Sequence, residues 1–354
     1  MSQPADTVTE TAAEHAHVLA AHAHYLVTTA ARAPSVHNTQ PWHFRVGPRA
    51  VELWCDPQRK LATDPIGREM LISCGAALFG LRLGIRSLGY KPVVDLLPDR
   101  SRLRLLARVS LGAKAPMNAL ERRMLGAVPH RHTHRGPFEP GPLPPGLLAG
   151  LQNDALTEEA TLALIDDGLA RERLAWIVEV AARRGDLDPR AQAEIRKWTR
   201  GAASKARDGI PAAALAVPTA SAGREQTRRL RQRDFDFGRG LGQLPGGGAP
   251  PAATAILLTA ADRRADWLRA GQALQRLLLH AASAWVFASM HTQPLEDPVT
   301  RALIRDRLRL RGKPQIVLQF GHASSAASTS RRPAGEVTSS SAETAETAES
   351  AGSL

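Results

Sequence analysis

GREMLISCGAALFGLRLGIRSLGYKP, Gly67–Pro92, can be laid beside RAGQALQRLLLHAASAWVFASMHTQP, Arg269–Pro294. Each stretch is long, apolar and punctuated by small residues. Both read as long helices in which Gly and Ala allow close helix–helix packing. The order of elements around them is alike: a short helix, a strand, the long helix, a strand. This reads as a weak internal repeat of about 150–170 residues, not a solenoid period. It points to a duplicated α+β unit, two halves in one chain that mimic a dimer.

Working outward, residues 10–31 read as a helix, with Val18, Leu19, Tyr25 and Leu26 on one face and Pro34 as its stop. HFRV and AVELWCD (43–46 and 50–56) alternate as strands, and RLRLLARVSL (102–111) is a third. The second round opens with a helix over 117–128, whose Met117, Leu120, Met124 and Val128 share a face. ATLALIDD (160–167) is a strand, 169–184 and 188–200 are helices, and AATAILLTAA (252–261) is a buried strand. The second long helix is expected to run to Met290, and PQIVLQFGH (314–322) is the last strand.

This reading gives a first half over 1–114 and a second over 115–332. A lid-like insert at about 201–253 carries DGIPAAALAVP and GRGLGQLPGGGAPP. Its Gly and Pro content opposes regular structure. The tail over 333–354 is rich in Ser, Ala, Thr and Glu and is expected to be disordered.

Composition narrows the function classes. The 354 residues carry a formal net charge of +12. Their basic residues are dispersed rather than run together, which argues against nucleic acid as partner. Cys55 and Cys74 form no zinc or CxxC spacing and suit a reduced cytoplasmic interior. No signal peptide and no unbroken membrane-length apolar run is apparent, so no membrane partner is expected.

Two segments carry candidate chemistry. The first is VPHRHTHRGPF, Val128–Phe138. His130, His132 and His134 could chelate a metal if they shared a strand face, but Arg131 and Arg135 would set positive charge beside it. Arg131, Thr133 and Arg135 could instead cradle an anion through two guanidinium groups and a hydroxyl. Solvated loop residues are the third reading, and spacing alone leaves the three open. The second segment is ARAPSVHNTQPWHF, Ala31–Phe44, where Asn38 and Gln40 suit the edge of a heterocycle. An ordinary helix-to-strand loop fits it equally well. GRGLGQLPGGG is not followed by a helix and fails the context a dinucleotide loop requires.

Taken together, these segments resemble the FMN-dependent nitroreductase family. ARAPSVHNTQPWHF is similar to its P-S-x-x-N-x-Q-P-W segment, and HRHTHRGPF to its R-x-S/T-x-R/K-x-F phosphate motif. TQPLEDP (Thr292–Pro298) resembles the segment lying against the flavin ring, and SRRP (Ser330–Pro333) the C-terminal basic pair. The match spans roughly 15–337. Each motif occurs once, which resembles the fused, double-unit Acg-like branch from actinobacteria.

The resemblance implies a nitroreductase-like fold of two tandem pseudo-symmetric units, with mostly antiparallel sheets flanked by helices. It also implies one FMN between the halves, in a fused pseudo-dimer able to exist as a monomer. The implied activity is an FMN-dependent oxidoreductase that uses NAD(P)H to reduce nitroaromatic or quinone-type acceptors. The implied alternative is a flavin-storage protein with little turnover. Carried over residue by residue, Arg131, Thr133, Arg331 and Arg332 hold the phosphate, and Arg135 reaches the flavin's N1/O2 edge. Pro34, Ser35 and Asn38 pack on the flavin from the other half, and Pro294, Leu295 and Glu296 lie near N5. No protein side chain is implied as an obligatory acid or base. The chain departs from the pattern at Val36, where many members carry Ser, and after Glu296, where Asp297 replaces a Gly.

Overall fold

In the computed structural model, the structure describes residues 4–136, 138–215, 230–242, 249–323 and 329–340. The chain opens with helix α1 (Pro4–Ala31), strands β1 (Trp42–Val46) and β2 (Val51–Cys55), helix α2 (Arg68–Ser87), and strands β3 (Tyr90–Leu96) and β4 (Leu105–Lys114). Helices α3 (Ala119–Ala127) and α4 (Leu147–Thr157), strand β5 (Ala160–Leu164), and helices α5 (Gly168–Leu187) and α6 (Pro189–Trp198) follow. Two short strands, β6 (Thr199–Arg200) and β7 (Ile210–Pro211), lead to β8 (Ala253–Thr259) and helix α7 (Arg264–Ser283). The chain closes with β9 (Val286–His291), α8 (Gln293–Glu296), α9 (Pro298–Arg307), β10 (Lys313–His322) and β11 (Thr338–Ser340).

Among the described residues the two larger sheets are ordered β11-β1-β2-β4-β3 and β5-β8-β10-β9, and β6 and β7 form a separate parallel pair. All pairings within the two larger sheets are antiparallel except the parallel β1–β11 pair. Alternation sets the faces: along β2, Val51, Leu53 and Cys55 are buried and the residues between them are not.

The two quoted stretches form α2 and α7, which cross at the centre of the molecule. Their glycines make that crossing possible. A Cβ on Gly75 would lie 2.2 Å from the Leu268 carbonyl oxygen, and one on Gly271 would lie 2.0 Å from that of Ile72. A Cβ on Gly80 would lie 2.9 Å from the Cα of Ala30 in α1. One hydrophobic core joins α1, α2 and α7 to both sheets, with Leu26, Trp42, Leu78, Leu277 and Phe320 all fully buried. The helix α2 is long and apolar enough to cross a membrane by composition, but 78% of that window lies inside this core.

Three expectations need correction. The second long helix stops at Ser283, because Trp285 takes a left-handed φ of 55°, and Val286–His291 leaves as a strand beside β10. Likewise Gly89, at φ 85°, turns the chain out of α2 into β3. The expected disordered tail begins too early. Thr338, Ser339 and Ser340 pair with Phe44, Arg45 and Val46, so the first sheet takes a strand from the end of the chain. The rest of that tail, 341–354, lies outside the described residues. Of the insert, 216–229 and 243–248 also lie outside them; the remainder includes β7 and packs Ile210, Ala214 and Leu215 with Phe235.

Candidate functional site

The loop between α1 and β1 is held in an unusual shape. His37, Asn38 and Gln40 all have left-handed backbone angles, with φ of 51°, 56° and 51°. Such angles cost energy in non-glycine residues and persist only where the surroundings over-determine them. Here they do. Ser35 Oγ accepts from the Gln40 amide at 2.9 Å. Asn38 Nδ2 donates to the carbonyls of Gly209 (3.0 Å) and Ser330 (3.1 Å). Gln40 Nε2 donates to the Arg207 carbonyl at 2.8 Å, and its Oε1 accepts from the Arg332 amide at 2.8 Å. The loop thereby ties the first half to the insert and to the C-terminal segment.

Beside this loop lies a cavity of about 810 Å³, counted to its open mouth. Pro34, Ser35 and His37 of the loop, Ser73 of α2, Thr133, Arg135, Met290 of β9 and Pro294 of α8 line it. Ile210, Arg231, Arg233 and Phe235 of the insert line it as well.

At the foot of the α1–β1 loop four arginines converge. Arg131 is buried, and its Nη2 donates to the Arg32 carbonyl at 3.2 Å. Its Nε and Nη1 are sealed from water and have no partner. Arg331 donates from Nε and Nη2 to the Ala33 carbonyl. Burial first, then the charges of Arg32 and Arg135, bring the Arg131 pKa down to about 10. Arg331 is pushed the same way by burial and by Arg131, Arg32 and Arg135. Arg135, brought to about 10 by burial, lies with its guanidinium carbon 5.8 Å from the Phe235 ring centre. Among the described residues, no carboxylate forms an ion pair with Arg131, Arg135 or Arg331. A cluster of like charges with unsatisfied N–H groups has the chemistry to accept an anion.

The structure thus sets Thr133, Arg135, Pro34, Ser35 and Pro294 in the cavity wall, while Arg131 and Arg331, which feel the charge of Arg135, do not line the cavity. Other expected members stand apart. Arg332 donates from Nη2 to the Glu336 carbonyl and from Nε to its carboxylate, away from the cluster. Asn38 does not line the cavity and serves as the tie described above. Leu295 is fully buried in the core, with its carbonyl accepting from Arg68. Glu296 forms an ion pair with Arg233 of the insert, both largely buried, rather than facing the cavity.

The histidines of 128–138 each pack on an aromatic ring rather than standing free in solvent. His130 stacks on Trp285 at 4.9 Å, His132 packs on Phe287 at 4.4 Å, and His134 on Phe138 at 4.7 Å. His132 and His134 are buried. Thr133 bridges to Ala288 of β9, and Thr133 and Arg135, which alternate with these histidines, line the cavity. Sequence reasoning also missed Arg32, His37, Arg233 and Phe235. His37 lay inside a quoted motif. The run RQRDFDF, the one place where the insert mixes basic and aromatic residues, was the available signal for Phe235.

No family model matches the chain. A Mycobacterium tuberculosis H37Rv protein named "Putative NAD(P)H nitroreductase" is 33% identical over 304 residues, spanning 84% of each chain. Another from that strain, "Putative NAD(P)H nitroreductase acg", is 28% identical over 316 residues, 88% of this chain and 93% of the relative. Among solved structures, the FMN-dependent nitroreductase NfnB from Mycobacterium smegmatis in complex with NADPH aligns at 15% identity and a TM-score of 0.36. That alignment covers 62% of this chain and 98% of that one. A nitroreductase with bound FMN from Bacteroides fragilis aligns at 11% identity and a TM-score of 0.32, over 61% and 95%.

Proposed function

We propose, from the premise that this chain belongs to the nitroreductase family of oxidoreductases, that its central cavity holds one FMN and works with NAD(P)H. The observation that carries the reading is the unpartnered guanidinium of Arg131 amid Arg32, Arg135 and Arg331. A phosphate monoester offers the charge and the acceptor oxygens these groups lack.

In this reading Arg131, Arg331 and the Thr133 hydroxyl hold the phosphate. Arg135 sets positive charge at the flavin's pyrimidine edge, where it favours a reduced, anionic ring. Pro34 and Ser35 of the first half and Pro294 of the second bound the ring. FMN supplies hydride acceptance at N5 from NAD(P)H and delivery of electrons to a nitroaromatic or quinone acceptor. The protein's part is to bind, to orient and to keep water out. The ties from Asn38 and Gln40 hold the insert to the loop that bears Pro34 and Ser35.

The test is NAD(P)H oxidation by the flavin-loaded protein with a nitroaromatic or quinone acceptor. Turnover above that of free FMN is expected; turnover equal to free FMN contradicts the enzymatic reading. One observation favours a second reading, a flavin-binding protein with little turnover. The insert places Ile210, Arg231, Arg233 and Phe235 in the cavity wall, where a nicotinamide would need room. Flavin that stays oxidised under excess NADPH in a stopped-flow mixing experiment would select it.

A further inference from the structure

Among the described residues, His37 is the one cavity-lining histidine whose Nε2 has no partner. It is 4% exposed, and its left-handed backbone is fixed by the ties from Ser35, Asn38 and Gln40. A strained residue that keeps a spare polar atom buried costs stability twice over. The surroundings explain why the ring stays neutral. Burial holds its pKa well below the usual histidine value, and the guanidinium groups of Arg233 and Arg135 add to this. The imidazole therefore presents one N–H and no charge.

What lies against it is an arene. The Phe235 ring meets the His37 ring edge-on at 5.6 Å, and Arg135 stands over the same phenyl ring. A site with a cation on the face of an aromatic ring and an imidazole at its edge is already shaped for a flat aromatic guest. Phe235 belongs to the insert, where it packs with Ile210, Ala214 and Leu215.

We propose that His37 is the specificity-determining residue for the electron acceptor. Its Nε2–H donates to a carbonyl or nitro oxygen of a flat arene, which takes the place that the Phe235 ring now fills beside it. The inference rests on the reading of this cavity as a flavin site. It adds the group that recognises the acceptor's oxygen. Arg135 and Arg233, close enough to repel a proton from His37, also favour acceptors that carry an acidic substituent.

The experiment titrates 4-nitrobenzoate into the oxidised, flavin-loaded full chain without reductant and follows the perturbed flavin bands. Three variants are compared with the wild type. His37→Gln places an amide N–H near the position of Nε2, whereas His37→Asn, a residue at ease with left-handed angles, cannot reach it. The wild type and His37→Gln are expected to bind alike. His37→Asn is expected to bind about 3- to 10-fold more weakly, as loss of one neutral hydrogen bond implies. Phe235→Ala is expected to bind no more weakly than the wild type. Flavin content, read from absorbance, is expected to be equal in all four.

A His37→Asn variant that binds the probe as well as the wild type overturns the inference. So does one that loses its flavin, since Nε2 would then serve the cofactor. A Phe235→Ala variant that binds as weakly as His37→Asn overturns it too, by making the phenyl ring the holder of the arene. A wild type that takes up no flavin removes the cofactor reading itself, and is seen before any variant is compared.

Discussion

Replacing Arg131 with Met should stabilise the flavin-free protein while ruining flavin binding. Arg131 is 6% exposed, and its pKa falls from the ordinary arginine value to about 10. At about 1.4 kcal/mol per tenfold change in proton affinity, the charged form is held at a cost of about 3 kcal/mol. A base whose folded pKa is lowered bears this cost in full at every pH below about 10, so it is present at neutral pH. Methionine fills much of the same volume without charge. It strands the Arg32 carbonyl, which Arg131 now serves, at about 1–2 kcal/mol. The net expectation is a gain of about 1–2 kcal/mol in the flavin-free state. FMN binding should move the other way. Loss of one buried guanidinium from a phosphate site costs about 2–5 kcal/mol, from roughly thirtyfold to a few thousandfold in Kd. Urea unfolding of the flavin-free proteins reads the first quantity, and titration of FMN by quenching of its fluorescence reads the second. A variant that is less stable by several kcal/mol yet binds FMN like the wild type would refute the reasoning, because Arg131 would then be a structural residue.

The remaining expectations concern the scaffold around that cluster. His132→Ala should lower stability by about 2–3 kcal/mol in urea unfolding, because the ring packs on Phe287, while the folded fraction keeps its flavin stoichiometry. Gly271→Ala should destabilise by about 3 kcal/mol, since the added methyl meets the Ile72 carbonyl oxygen at 2.0 Å in the α2–α7 crossing. Glu296→Gln should loosen the insert by stranding the Arg233 charge, and limited proteolysis should cut the loaded variant faster between 199 and 242. His132 and His291 are buried neutral, each with a pKa of about 4. Histidines with lowered folded pKa values leave the unfolded chain binding more protons, so stability should fall as pH drops from about 6.5 towards 4. Both together give a slope of up to ~2.7 kcal/mol per pH unit in that window, measurable by urea unfolding at a series of pH values.

Elements governed by local pattern were legible. The paired small-residue helices, the alternating strands β1 and β2 and the apolar run of β8 all lie where hydrophobic period places them. The missed features depend on single backbone angles or distant partners. Gly89 and Trp285 turn left-handed and release β3 and β9 from what reads as continuing apolar helix. Nothing local marks Thr338–Ser340 as a strand, because its partner β1 lies nearly 300 residues earlier. At the site, the basic residues were recognisable by type and order. The roles of the residues between them were not. His132 looks like a free loop position until Phe287 is brought beneath it, and Arg332 looks like a twin of Arg331 until Glu336 claims it. His37 and Phe235 are unremarkable singly, and only the fold sets one against the other.

The central claim is that the arginine cluster between the halves receives the phosphate of one FMN. Titration of flavin-free protein with FMN and, in parallel, with riboflavin tests it most directly, because the two differ only in the phosphate. The account predicts saturable binding of one FMN per chain, with riboflavin weaker by at least two orders of magnitude, as loss of several charge-assisted bonds requires. Equal affinity for the two, or no binding of either, would contradict it.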